Sequence, residues 1–270
     1  MKILAMGLIH KNNTDNQPIE YVYRTLIKEN TMTEDMANFK ILLTPWHGTP
    51  IAPPYIDSTF TEDIKSKNPY NNPVYSNDWF NYSPMRAGKP VPLTDNYKLP
   101  THFYWICSNV KRLETDYYSH SKGVILSSCL FEFLKQFKCY DEYDICEVTP
   151  LSRKLAHISD KKYYFIRFKH LAYNLFIDLE NSNRIKRMNK VITSYLYLDF
   201  QLRERTAYPD IFWMKNVLVT KDSVADLINR NGFNGFRMVE LKDFANEYTF
   251  RDTHPYPTLE EMKDRDRKWF

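Results

Sequence analysis

Two stretches of equal length constrain this chain more than any other feature. VILSSCLFEFLKQFKCYDEYDICEV fills residues 124–148 and VLVTKDSVADLINRNGFNGFRMVEL fills residues 217–241, aligned without a gap at a constant offset of 93. Each opens on an apolar run, Val124-Ile125-Leu126 or Val217-Leu218-Val219. Ser127 or Thr220 follows where a helix would start, and a hydroxyl there can accept from an orphan amide of the first turn. Leu130, Phe133, Leu134 and Phe137 then fall at helical spacing on one face, with a shorter stripe of Val224, Leu227 and Ile228 in the second stretch. Asn231-Gly232 stops the second helix, because glycine accepts the left-handed backbone found past a helix end. Cys139 takes the matching place in the first. Tyr140 and Tyr143 then match Phe233 and Phe236, and Glu147 matches Glu240. The pattern predicts an α+β fold, a mixed sheet with flanking helices, built around an internally duplicated strand–helix–strand unit (124–148 and 217–241).

The rest of the chain divides around these units. Residues 1–100 read as an N-terminal region with strands near 3–9 and 39–43 and a helix near 19–27. Within it, residues 44–100 form a long segment rich in Pro, Asn and Tyr with no periodicity, which reads as irregular. Residues 101–250 hold the duplicated domain, beginning with a buried strand at 101–110. Residues 251–270 form a tail helix capped by Thr258. The basic run Arg184, Lys186, Arg187 and Lys190 reads as a solvated helix or loop.

Long irregular segments in compact domains tend to be functional. This one carries Trp46, Tyr75, Trp79 and Tyr82, which serve either as a wrap over the core or as an aromatic contact surface. The acidic turn Asp141, Glu142 and Asp144 reads as solvated, or as a local mimic of nucleic acid toward a basic partner. These seven residues are the candidate partner contacts.

Several chemistries are poorly served. The six glycines form neither a dinucleotide fingerprint nor a phosphate loop. The seven histidines show no i, i+4 pair, and the four cysteines no Cys-x-x-Cys clamp, so no metal or cofactor is expected. The cysteines read as reduced, partly buried thiols. A net charge of +4 is too mild for a nucleic-acid binder. The apolar start at 3–9 is short and lacks a cleavage pattern, and no run is long enough to span a membrane, so a soluble cytoplasmic protein is expected.

Three ordered motifs carry a family resemblance: the strand and Ser-capped helix after Val124, then KYYFIRFKHLAYNLFIDLENS with its Asp178-Leu179-Glu180-Asn181-Ser182 turn, then the second unit ending in Gly232-Phe233-Asn234-Gly235-Phe236-Arg237-Met238. Over roughly residues 101–245 the chain resembles immunity proteins of bacterial polymorphic toxin systems. The resemblance implies a non-enzymatic antitoxin that occludes a cognate toxin domain acting in the cytoplasm. Two alternatives stand beside it. One is an enzyme reversing a toxin's modification, with His47 or Ser128 in play. The other is a single-stranded RNA-binding module that stacks bases on Tyr and Trp.

Overall fold

The computed structural model describes residues 39–45, 49, 51–53, 55–65, 74, 77–83, 85–86, 89–91, 94–120, 122–139, 142–168, 172–182, 184–188, 193–197, 200–203, 207–214 and 217–244. The strands at 3–9, the helix at 19–27 and the tail helix at 251–270 lie outside these residues. Ten strands build the two main sheets: β1 (Phe39–Leu43), β2 (Ser58–Thr61), β3 (His102–Cys107), β4 (Tyr117–His120), β5 (Gly123–Ser127), β6 (Tyr143–Ser152), β7 (Tyr163–Phe168), β8 (Ile211–Met214), β9 (Val217–Lys221) and β10 (Arg237–Glu240). Among the described residues the helices are few and short: α1 (Asp78–Asn81), α2 (Ser128–Leu134) and α3 (Asp222–Arg230). This is a mixed α+β protein, mostly sheet. Every element named belongs to one compact unit, residues 36–204 and 208–270.

The larger sheet runs β2-β3-β6-β7-β5-β4, and the smaller runs β8-β9-β1-β10. Only the β3–β6 ladder is parallel. In each sheet a strand–helix–strand unit leaves a gap of one strand. β5 and β6 flank β7, and β9 and β10 flank β1, with both middle strands antiparallel to their neighbours. A hairpin partner closes the outer side of each unit, β4 on β5 and β8 on β9.

The registers agree ladder for ladder. Tyr117–Leu126–Tyr164–Glu147 lie across the first sheet, and Ile211–Thr220–Lys40–Glu240 lie across the second. The shared register corrects the gapless alignment. Leu126 stands where Thr220 stands, an offset of 94, while Glu147 and Glu240 keep the offset of 93. Ser127 is therefore the counterpart of Lys221, and both are helix N-caps. Ser127 Oγ accepts from the Leu130 amide at 3.2 Å, as a cap should. Thr220 is no cap. It sits fully buried inside β9, and α3 starts without a side-chain cap.

Three cores follow from the strand alternation. One face of the larger sheet packs Phe60, Phe103, Trp105, Cys146, Val148, Tyr163 and Phe165 against Trp79 and Phe80 from the irregular segment. A second core joins both units through α2 and α3, with Leu126, Leu130, Leu134, Leu218, Val224 and Ile228. A third lies on the far side of the smaller sheet, around Phe39, Ile41, Phe212 and Val219. The expected helix stripes are partly met. Leu130 and Leu134 are buried, but Phe133 is half-buried, Phe137 lies beyond the end of α2, and Leu227 is exposed, while Phe131 turns inward. Among the cysteines Cys107 and Cys146 are buried and Cys129 is exposed on α2. Burial pushes the Cys146 thiol up to about 12.

The Asp178-to-Ser182 segment forms the expected polar turn. The Asp178 carboxylate accepts the Glu180 and Asn181 amides, and those from Asn181 chiefly hold it below the usual range. Most of the basic run is not helix or loop: Arg184–Met188 is a strand paired with Thr193–Tyr197, and Lys190 lies outside the described residues.

Two glycines close the second unit. Gly232 (φ +70) and Gly235 (φ +91) adopt the left-handed backbone that glycine enters without a steric penalty. A Cβ on Gly235 would also lie 1.8 Å from Thr115 Oγ1 and 2.6 Å from the Tyr117 carbonyl.

Candidate functional site

Among the predicted contact residues, Trp79, Tyr82 and Asp144 meet at one side chain that the sequence did not single out, Arg167. The guanidinium is 4% exposed and donates to the Trp79 and Tyr97 carbonyls and to Asp144 Oδ2, the last at 2.8 Å. Its carbon lies 4.7 Å from the Tyr82 ring centroid. Trp79 stacks on Phe103 and donates its indole N–H to Glu62 at 2.9 Å; the Tyr82 hydroxyl donates to the Val91 carbonyl. Burial, partly offset by Arg167, raises the Tyr82 phenol. Trp79 and Tyr82 are buried, so this part of the aromatic segment is the wrap over the core. Arg167 pins it there through its two terminal nitrogens, since a buried cation needs a carboxylate and acceptors around it; its Nε has no hydrogen-bond partner. Glu142 is exposed. Trp46, Tyr75 and Asp141 lie outside the described residues, as does His47.

A second buried charge joins the two units. Asp116 Oδ1 accepts from Ser127 Oγ at 2.6 Å and Lys161 Nζ at 2.7 Å. Asp116 N–H donates to the Asn234 carbonyl, and the Asn234 amide donates back to Asp116 Oδ2. The counterpart is Asp210, which exchanges the same pair of bonds with Lys138. Each aspartate thus clasps the turn after the other unit's helix. Beside Lys161 lies a shallow cleft of about 400 Å³ lined also by Arg112, Glu114, His157 and Asp160. Two of its cations are engaged, Arg112 with Glu114 and Lys161 with Asp116, while Lys111 also lines it. The electrostatics there are mixed rather than those of a phosphate site.

The open surface lies on the other face of the larger sheet. Paired residues share a face, so Tyr143, Ile145 and Glu147 on β6 lie beside Phe168, Ile166 and Tyr164 on β7. His102 and Tyr104 on β3 continue the rows beside Glu147 and Thr149. Helix α2, at seven residues, covers only one end: Phe131 reaches Tyr143 and Tyr164, with ring centroids at 5.9 and 5.3 Å. Beyond it Ile145 is 41% exposed, Glu147 is exposed, and Tyr164, His102, Tyr104 and Thr149 are half-buried. A hydrogen bond of 2.8 Å between His102 and Thr149, and an edge contact of 4.6 Å between His102 and Tyr104, stiffen this surface. An apolar centre among tyrosines with charges at the rim has the composition of a protein-binding patch.

Comparison with known sequences meets this geometry. The model of the family described as immunity protein 43 matches residues 25–251, more than half of the chain. The chain belongs to the immunity protein 43 family. No curated protein matches it. The immunity protein 43 match begins before β1 and ends after β10, so it takes in every strand of both sheets. It therefore reaches well into the first hundred residues, which the sequence resemblance over 101–245 left out. Family membership implies a toxin as protein partner. Among the described residues no helix is long and apolar enough to cross a membrane.

Of the residues that reading the sequence missed, Ile145, Tyr164 and Tyr104, Ile145 had one usable signal. YDICEV alternates, and the alternate set with Cys146 and Val148 is the more apolar, which turns Ile145 and Glu147 outward.

Proposed function

We propose that this chain neutralises a cognate toxin of a polymorphic toxin system by stoichiometric occlusion, with the open face of the larger sheet docked over the toxin's active site. The observation that carries this reading is the exposed Ile145 set among Tyr143, Tyr164 and Glu147 on a central strand. A rigid sheet loses little entropy on docking, and partly exposed tyrosines offer apolar area with a polar tip. The exposed charge on this face, Glu147, would set encounter rate more than affinity. The toxin acts in the cytoplasm on this reading, and the chain binds without catalysis. Ser128, the described residue of the enzyme alternative, opens α2, where its amide donates to the Lys162 carbonyl.

The matching ladders favour an origin of both units from one ancestral strand–helix–strand element. On that reading the first copy kept an open sheet face for the partner. The test is a titration of the toxin domain encoded beside this chain. Wild type should bind it one to one and protect cells expressing it. Ile145→Arg should keep its fold and weaken binding roughly tenfold or more. Protection without a measurable complex would instead favour the enzyme alternative.

A further inference from the structure

A cavity of about 230 Å³ opens where α2 meets both sheets. Phe131, Leu134 and Phe137 line it from the helix and the turn after it, Tyr143 and Ile166 from the larger sheet, and Trp213 from the smaller. We propose that this cavity receives a tyrosine or tryptophan side chain of the toxin and anchors the docking described above; the inference rests on the occlusion reading.

Three observations carry it. The first is size and lining. An apolar cavity of about 150 Å³ already takes a benzene ring, so this one has room for a larger ring and its stem. The second is continuity. Tyr143 and Ile166 belong both to the cavity wall and to the rows of the open face, and Phe131 touches Tyr143 and Tyr164. A partner that covers Ile145 therefore passes the cavity mouth. The third is the chemistry of the rim. Lys135 lines the cavity, lies over the Phe131 ring at 5.5 Å and pairs with Glu132 at 2.9 Å. A lysine in the lining, itself paired with a carboxylate outside it, suits a ring with a polar end, a phenol or an indole N–H. The aromatic walls, with Trp213 stacked on Phe168 at 4.4 Å, suit the ring itself. Aromatic anchors seated in pockets dominate protein interfaces.

Two measurements test it. In the first, p-cresol, 3-methylindole and toluene are titrated into the methyl-labelled chain. The Leu134, Ile166 and Ile211 methyls should shift saturably, with p-cresol or 3-methylindole tighter than toluene, and Leu134→Phe should abolish the shifts. In the second, the neighbouring toxin domain is titrated into wild type, Ile145→Arg and Leu134→Phe. The filled variant should lose affinity roughly tenfold or more while keeping its melting temperature. Cys139→Phe fills the same cavity if Leu134→Phe does not fold. Absence of saturable shifts, or wild-type affinity in a folded filled variant, overturns the anchor. Loss in Ile145→Arg alone keeps the docking face and removes the anchor. Wild-type affinity in both variants removes the face as well.

Discussion

The two units share three ladders in matching register and differ in what they do with charge. At matching positions the first unit pairs Arg167 with Asp144, and the second pairs Leu43 with Arg237. Asp116 is 4% exposed and holds Ser127, Lys161 and Asn234. Its counterpart Asp210 is half-exposed and reaches Lys221 at 3.4 Å. His120, at the hairpin end of β4, is packed by Phe60 and Phe165, where the second unit has Met214. The frame is set by backbone pairing and apolar alternation, and it tolerates quite different polar contents. The first unit adds buried locks because it must also hold the aromatic wrap and one uncovered face.

Four experiments press on this contrast. Arg167→Ala should cost about 4 kcal/mol, because it takes the donor from the Trp79 and Tyr97 carbonyls and the guanidinium from the half-buried Asp144. Hydrogen exchange should then loosen residues 77–82. Leu43→Ala, its ladder counterpart, should cost about 3 kcal/mol through a cavity yet leave 77–82 protected. Equal loosening by both would mean that the wrap is not held by Arg167.

Asp116→Ala should cost about 3 kcal/mol, since bonds to a buried charge are strong. Asp210→Ala should cost about 1 kcal/mol, as partly exposed pairs do. Urea melts of the two variants decide it, and similar midpoints would break the distinction between buried and solvated clasps.

Gly235→Ala should cost more than about 2 kcal/mol, combining left-handed backbone with a clash against Thr115 and Tyr117. Gly232→Ala meets nothing within 4 Å and should cost about 1 kcal/mol for the backbone alone. The same melts rank them.

The smallest effect concerns pH. Burial, with the nearby Lys122 charge, pushes the His120 imidazole down to about 4. The folded state then binds fewer protons than the unfolded one, so this contribution is complete above the ordinary value near 6.5 and is lost as pH falls toward 4. His120→Met, which borrows the residue of the second unit, should flatten the pH dependence of the melting temperature in that window. An unchanged slope would assign it to carboxylates.

Much of this frame was legible in the residues. The strands at 39–43 and 102–107, the Ser127 cap and the glycine stop after α3 all follow from local pattern. Pairing was not: that Phe39–Leu43 completes a unit lying nearly two hundred residues later depends on long-range contacts no local signal carries. The single-residue shift that replaces Thr220 with Lys221 as cap was hidden because both follow an apolar run. The binding surface was legible least. Tyr and Trp serve a core cover and an interface equally well, so the burial of Trp79 and Tyr82 beside Arg167 could not be read from the residues. Ile145 lay in plain alternation, but its exposure depends on α2 stopping at Leu134.

The most direct measurement is hydroxyl-radical footprinting of the chain with and without its toxin domain. The docking account predicts reduced oxidation of Ile145, Tyr143, Tyr164 and Tyr104, with Tyr55, 68% exposed, unchanged. Protection of Tyr55, Ile51 or Leu227 with Ile145 and Tyr164 still oxidised would contradict it.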